Sequence, residues 1–289
     1  MNSLDALPVV RTSLLDGFSL EITGKDAARV EEAAAAVPSR TRIHVTFLGN
    51  EDPALRLAAT RAVQQSGFVP VPHLSARRLG SAAAFEEYLA ALRAEGACER
   101  VFTVGGDPAE PEGPYPDALS LIGSGLLQRH GVREVGIAGY PEGHPDIPDG
   151  QLWQALTDKG AALAAAGLDG QITTQFGFDP DPVLAWIEEV RRRGITLPIR
   201  IGVPGPAGVR RLLGYAARFG ISSSASIAKK YGLSLTNLMG TAGPGKFLDA
   251  LDEGYDPRRH GEARLHFYTF GGLAATAEWI AAFRKEHSA

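Results

Sequence analysis

Eight short apolar runs, seven of them with a polar or ionisable residue at or just beyond the end, alternate along the chain with longer stretches rich in Ala, Leu, Glu and Arg. The runs are residues 18–22, 42–48, 69–73, 100–104, 134–138, 171–175, 199–203 and 265–269. Helical stretches read at 25–35, 53–66, 82–95, 117–129, 151–166 and 182–193. This alternation is the pattern of a parallel sheet with crossover helices. Eight strands predict an α/β fold closed into a (β/α)8 TIM barrel, and 289 residues suit one such barrel domain over 1–289. Between strands seven and eight the pattern changes: extra helices fit into 207–251, broken at Gly220, Gly232 and Gly240–Gly245. The Pro- and Glu-rich stretch 108–116 reads as a mobile loop after strand four.

The ends of the runs carry the chemistry. They are Ser19-Leu20-Glu21, His44-Val45-Thr46, Val71-Pro72-His73, Val104-Gly105-Gly106-Asp107, Tyr140-Pro141-Glu142-Gly143-His144-Pro145, Thr174-Gln175-Phe176 and His266-Phe267-Tyr268-Thr269. Barrel active sites are built at strand C-terminal ends, so these residues point to one composite site. Each also has a plainer reading. Glu21 fits a surface charge at a strand end, Gly105-Gly106-Asp107 an ordinary turn, Gln175 an amide bonded to backbone, and His73 or His144 a structural histidine.

Composition excludes several classes. The formal net charge is −4 with no basic block, which gives no support for nucleic-acid binding. The one cysteine, Cys98, rules out a disulfide framework and a cysteine metal cluster and fits a cytoplasmic protein. The opening residues predict no secretory signal, and no run of about 18 apolar residues predicts a membrane span. No metal ligand set is expected: His73 and His144 stand on different strands without a carboxylate–histidine spacing. Gly240–Gly245 followed by Lys246 lacks the spacing of a phosphate loop, and no Gly-x-Gly-x-x-Gly fingerprint opens a βα unit.

In this order, the Tyr140–Pro145, Thr174-Gln175-Phe176…Asp179 and His266–Thr269 motifs resemble the methylenetetrahydrofolate reductases, barrel flavoproteins of one-carbon metabolism and methionine biosynthesis. The resemblance runs from Phe18 to Thr269. It implies FAD at the top of the barrel, reduced by NADH or NADPH, which then gives way to the folate substrate; a homo-oligomer is compatible with it. On this resemblance Glu21 matches the catalytic acid that opens the imidazolidine ring of methylenetetrahydrofolate. Asp107 lies near the flavin, and Gln175 orients the reacting partner. Thr46, His73, Gly105, Gly106, Tyr140 and His144 match flavin-contacting positions, with Lys159 as the nearest lysine for the flavin phosphates. Tyr215 matches an aromatic residue that stacks on folate or nicotinamide, and Arg211 stands where the family often has glutamine.

Beyond Arg211, the chain departs from the family at four further places. Ile22-Thr23-Gly24 replaces an aromatic and proline pair, Gly105 an arginine, and Gly271-Gly272 an Asn-Arg pair. The family lysine before an Ala-Gly pair is missing in 161–167. Two alternatives therefore stand beside the flavin-dependent reductase: a flavin-independent folate reductase of the same fold, and a folate- or flavin-binding partner protein without turnover.

Overall fold

The computed structural model describes residues 14–49, 51–221, 231 and 240–287. Eight parallel strands close into a barrel: β1 (Ser19–Ile22), β2 (Arg42–Val45), β3 (Val69–Ser75), β4 (Arg100–Val104), β5 (Glu134–Gly139), β6 (Asp169–Phe176), β7 (Ile199–Pro204) and, last in the chain, β10 (Ala263–Tyr268). Each strand pairs with its sequence neighbour along the chain. β10 then lies between β7 and β1 and closes the ring, with Ser19 opposite His266 and Glu21 opposite Tyr268.

Period-2 alternation assigns the two faces of each strand. In β1, β2 and β10 the residues Leu20, Ile22, Ile43, Val45, Leu265 and Phe267 are buried in the apolar core that joins strands to helices. The alternate residues meet one another inside the barrel. Near its N-terminal end, Arg200 Nε donates to Gln171 Oε1 at 2.7 Å and Arg42 Nη1 donates to the same oxygen at 3.2 Å, while Arg42 also pairs with Glu134. Above them sit the rings of His44, His73, Phe102 and His266. Barrel interiors are more often filled by Val, Ile and Leu. A lumen this polar is stable only where hydrogen bonds replace those lost from water.

The helices follow the expected order with one division. The stretch read as a single helix over 117–129 forms two, Ala118–Ile122 and Leu126–Arg129. Asp117 caps the first through Ser120 N at 2.8 Å, and Gly125 at φ 71° breaks the second from it. Between β7 and β10 lie the helices Val209–Arg218, Gly245–Gly254 and Pro257–His260, and a two-stranded antiparallel ribbon of β8 (Ala207–Gly208) and β9 (Thr241–Ala242). The remainder of the expected insertion, 222–230 and 232–239, with Gly232, lies outside the described residues.

The 108–116 stretch, read as a mobile loop, is tied down by Arg77. Its Nε donates to Pro116 O at 2.8 Å, its Nη1 to Pro108 O at 3.1 Å, and its carbonyl accepts from Glu112 N at 2.8 Å. No helix among the described residues is long and apolar enough to cross a membrane.

Candidate active site at the carboxyl ends of the strands

Glu21 leaves β1 into the barrel mouth, and the closure of the ring surrounds it with histidines. Its side chain is 18% exposed, while those of His73 and His266 are 6% and 0% exposed. Glu21 Oε2 lies 3.4 Å from His266 Nε2 and 3.7 Å from His73 Nε2. His73 Nε2 in turn lies 3.2 Å from His44 Nδ1. His266 Nδ1 meets Ser19 Oγ at 2.8 Å, so Ser19 helps decide which ring nitrogen holds the proton and whether His266 gives to or takes from Glu21. Thr269 Oγ1 donates to the Glu21 carbonyl and fixes the strand end.

Burial governs the charge of this group. It pulls His73 down to about 4, an effect that Glu21 opposes and His266 reinforces. It also pulls His44 well down, helped by His266, His73, Arg200 and Arg42, and lowers His266 against the raising influence of Glu21. All three imidazoles are therefore neutral at pH 7, and Glu21 faces lone pairs and N–H dipoles rather than imidazolium charge. Tyr268, on the same face of β10, is pushed well up by burial, with Glu21 adding to the shift; its hydroxyl donates to Thr174 O at 3.1 Å.

The other expected site residues are spread around the rim. Asp107 follows Gly106, which adopts φ 98°, and a Cβ there would stand 2.2 Å from Ser75 Oγ, so only glycine fits. The Asp107 side chain is 70% exposed and bonded to Arg78, whose Nε and Nη2 each lie 2.8 Å from Oδ1. A Cβ at Gly105 would meet open space. Thr46 lies just beyond β2, its N–H donating to Ile22 O at 2.9 Å. Tyr140 and His144 meet edge to face at 5.3 Å. Lys159 sits on the outer helix Asp149–Ala165, where burial lowers it to about 8 against the opposing charge of Asp117. Gln175 Oε1 accepts from Phe176 N at 3.1 Å.

Residues expected around one flavin thus divide among separate partners. His73 is engaged with Glu21 and His44 inside the lumen, Asp107 with Arg78, and Lys159 with the field of Asp117, and no arginine stands at 105. Tyr140 and His144 share a contact.

Two of the expected substrate-side residues, Tyr215 and Arg211, meet at Phe270. Tyr215 stacks on Phe270 with ring centroids 4.1 Å apart and planes 17° apart, and Phe270 stacks on Tyr268 at 5.7 Å. Arg211 Nη1 donates to Phe270 O at 2.8 Å, which sets its guanidinium beside Gly271-Gly272. Residue-by-residue reading missed His44, His266, Tyr268 and Ser19 as site members. The signal was in the motifs His44-Val45-Thr46 and His266-Phe267-Tyr268, whose period-2 alternation turns both histidines inward.

A cavity of about 870 Å3 lies at the opposite end of the barrel, lined by Arg40, Arg42, Arg200, Arg264 and Arg284 among others. That face holds the amino ends of the strands, where barrels carry stability rather than chemistry.

A sequence model of the family described as methylenetetrahydrofolate reductase matches residues 28–215. "Methylenetetrahydrofolate reductase 2" of Saccharomyces cerevisiae is 30% identical over 114 residues, covering 37% of this chain and 18% of its own length. "Methylenetetrahydrofolate reductase (NADH) 1" of Zea mays is 31% identical over 130 residues, covering 40% of this chain and 21% of its own. The matched stretch thus spans about a fifth of these relatives. A Clostridium thermocellum protein whose structure is described as binding two copies of 5-methyl-5,6,7,8-tetrahydrofolic acid shares the fold, with a TM-score of 0.58 and 11% identity over 94% of this chain and 95% of that one.

Proposed function

The chain belongs to the methylenetetrahydrofolate reductase family, and from that premise we propose that it interconverts 5,10-methylenetetrahydrofolate and 5-methyltetrahydrofolate, with NADH or NADPH as the hydride source. The observation that carries this reading is the Glu21 carboxyl group at the barrel mouth, held between His73 and His266. The substrate's imidazolidine ring must open before it can be reduced. A proton delivered from Glu21 to N10 lets the N10–C11 bond break and an N5–C11 iminium form. Hydride addition to C11 then gives the methyl group. One proton and one hydride are consumed, and NAD(P)+ leaves.

The chain's own residues position this reaction. The Tyr268–Phe270–Tyr215 stack offers a flat aromatic wall to a pterin or nicotinamide ring. Arg211, braced on Phe270 O, supplies a cation beside Gly271-Gly272, where the family places its folate-binding arginine. Gln175 both donates and accepts, which suits the pterin edge.

FAD is the hydride carrier that the resemblance implies, yet Gly105 stands where the family has an arginine and the family lysine is missing in 161–167, so no step is assigned to it. Those two losses favour the second reading, direct transfer from nicotinamide C4 to C11. Two measurements test the proposal. Methylenetetrahydrofolate-dependent oxidation of NADH or NADPH is the expected activity, and its absence under both nucleotides would leave a binding protein without turnover. The absorption spectrum of fresh protein, repeated after FAD addition and desalting, separates the routes: a retained stoichiometric flavin band supports the flavin route, and turnover by flavin-free protein supports direct transfer.

A further inference from the structure

Three strands that are remote in sequence converge three metal-type donors at the barrel mouth. Glu21 comes from β1, His44 from β2 and His73 from β3, and one ligand atom from each lies within 4.8 Å of the others. Two edges of this triangle are tighter: His44 Nδ1 to His73 Nε2 is 3.2 Å, and His73 Nε2 to Glu21 Oε2 is 3.7 Å. A tetrahedral cation with metal–nitrogen and metal–oxygen bonds of about 2.0–2.2 Å separates its ligands by about 3.3–3.5 Å. The two edges bracket that spacing, and a small rotation of the Glu21 side chain brings the third into range.

Hydrogen bonding leaves one nitrogen of this group without a partner. His73 Nε2 faces both His44 Nδ1 and Glu21 Oε2, and it carries at most one proton to offer them. The other nitrogen of His44, Nε2, is buried without a hydrogen-bond partner. A cation in the triangle would take the lone pairs of His44 Nδ1 and His73 Nε2 and the carboxylate together, leaving the ring proton of His44 on Nε2, outside the triangle. The Glu21 charge offsets part of the cation's own, as a buried metal requires.

We propose that Glu21, His44 and His73 bind a divalent transition cation of the zinc class, and that the cation inhibits the reaction by occupying the carboxylate that delivers the proton. Two imidazoles and one carboxylate form a ligand set suited to such cations, with a coordination position left open for water. The inhibitory part rests on the reductase reading; the binding part does not.

The test uses the full chain, freed of metal with EDTA and desalted. Equilibrium dialysis against Zn2+ with elemental quantification is expected to give one bound equivalent. His44→Gln and His73→Gln are each expected to weaken binding by about tenfold or more, whereas His144→Gln on the rim leaves it unchanged. Circular dichroism checks that the variants fold. Co2+ bound to the unaltered protein is expected to show intense visible bands of a tetrahedral centre, a result that needs no variant. Absence of a stoichiometric Zn2+ site in the parent protein overturns the proposal, as does undiminished binding in both folded glutamine variants.

The reductase assay separates the two ideas. Metal-free protein that turns over and is inhibited in step with Zn2+ occupancy supports both. Turnover that survives full occupancy overturns the inhibitory part. One bound Zn2+ with no turnover in the metal-free protein overturns the reductase reading and leaves the cation site standing.

Discussion

Acidification should destabilise this barrel before its surface carboxylates titrate, and His73 sets the scale. In the folded protein His73 faces Glu21 from β1, His44 from β2, His266 from β10 and the ring of Phe102 from β4. Burial is the largest influence on it and lowers it from 6.5 to about 4. Between those values the unfolded chain binds a proton that the folded chain refuses, so stability is fully present above about 6.5 and is lost as pH falls toward 4. From pH 7.5 to pH 5 the loss from His73 alone is about 2 kcal/mol. His44 and His266 are shifted in the same direction and add to it.

Urea unfolding followed by circular dichroism at pH 7.5 and pH 5, with EDTA present to keep cations out of the mouth, measures the difference. His73→Gln removes one titrating ring and should reduce the pH dependence by about 2 kcal/mol. Parent and His73→Gln curves with the same pH dependence would refute the claim that the ring is held neutral by burial.

Three further outcomes are expected. Glu21→Gln should lower kcat/KM for methylenetetrahydrofolate by about 10²–10⁴-fold, the usual worth of a general acid, while the nicotinamide Kd changes little; steady-state kinetics and nucleotide titration check this. Gly202→Ala places a Cβ 2.4 Å from Thr174 O and 2.8 Å from Gln175 C, both backbone atoms of β6, and should cost about 1–3 kcal/mol by thermal or urea unfolding. Arg77→Ala frees the carbonyls of Pro108 and Pro116, so hydrogen exchange and proteolytic cleavage within 108–116 should rise while the barrel strands stay protected.

The barrel was legible in the chain because its cause is local. Apolar runs of strand length with helical stretches between them admit few arrangements other than a parallel sheet with crossovers, and period 2 fixes which residues of each run face inward. Glu21 could be singled out because it ends such a run and belongs to a recognisable motif order. Boundaries were less secure. The helix expected over 117–129 divides at Gly125, where a left-handed φ of 71° interrupts a stretch whose composition is otherwise helical.

What surrounds Glu21 was decided by tertiary structure. His44 and His73 are 29 residues apart, and Glu21 and His266 are 245 apart. No spacing rule links them, and metal-ligand patterns read along the chain pass over them. Closure of the ring sets Ser19 against His266 and Glu21 against both His44 and Tyr268. The barrel lumen then takes water from the rings and holds them neutral. Asp107 shows the reverse case. It lies on a loop beyond its strand, where no pleat constrains its direction, and its pairing with Arg78, which follows β3, could not be read from its motif. Strand periodicity determines direction within a strand, while charge pairing between loops depends on distances that exist only after the chain has folded.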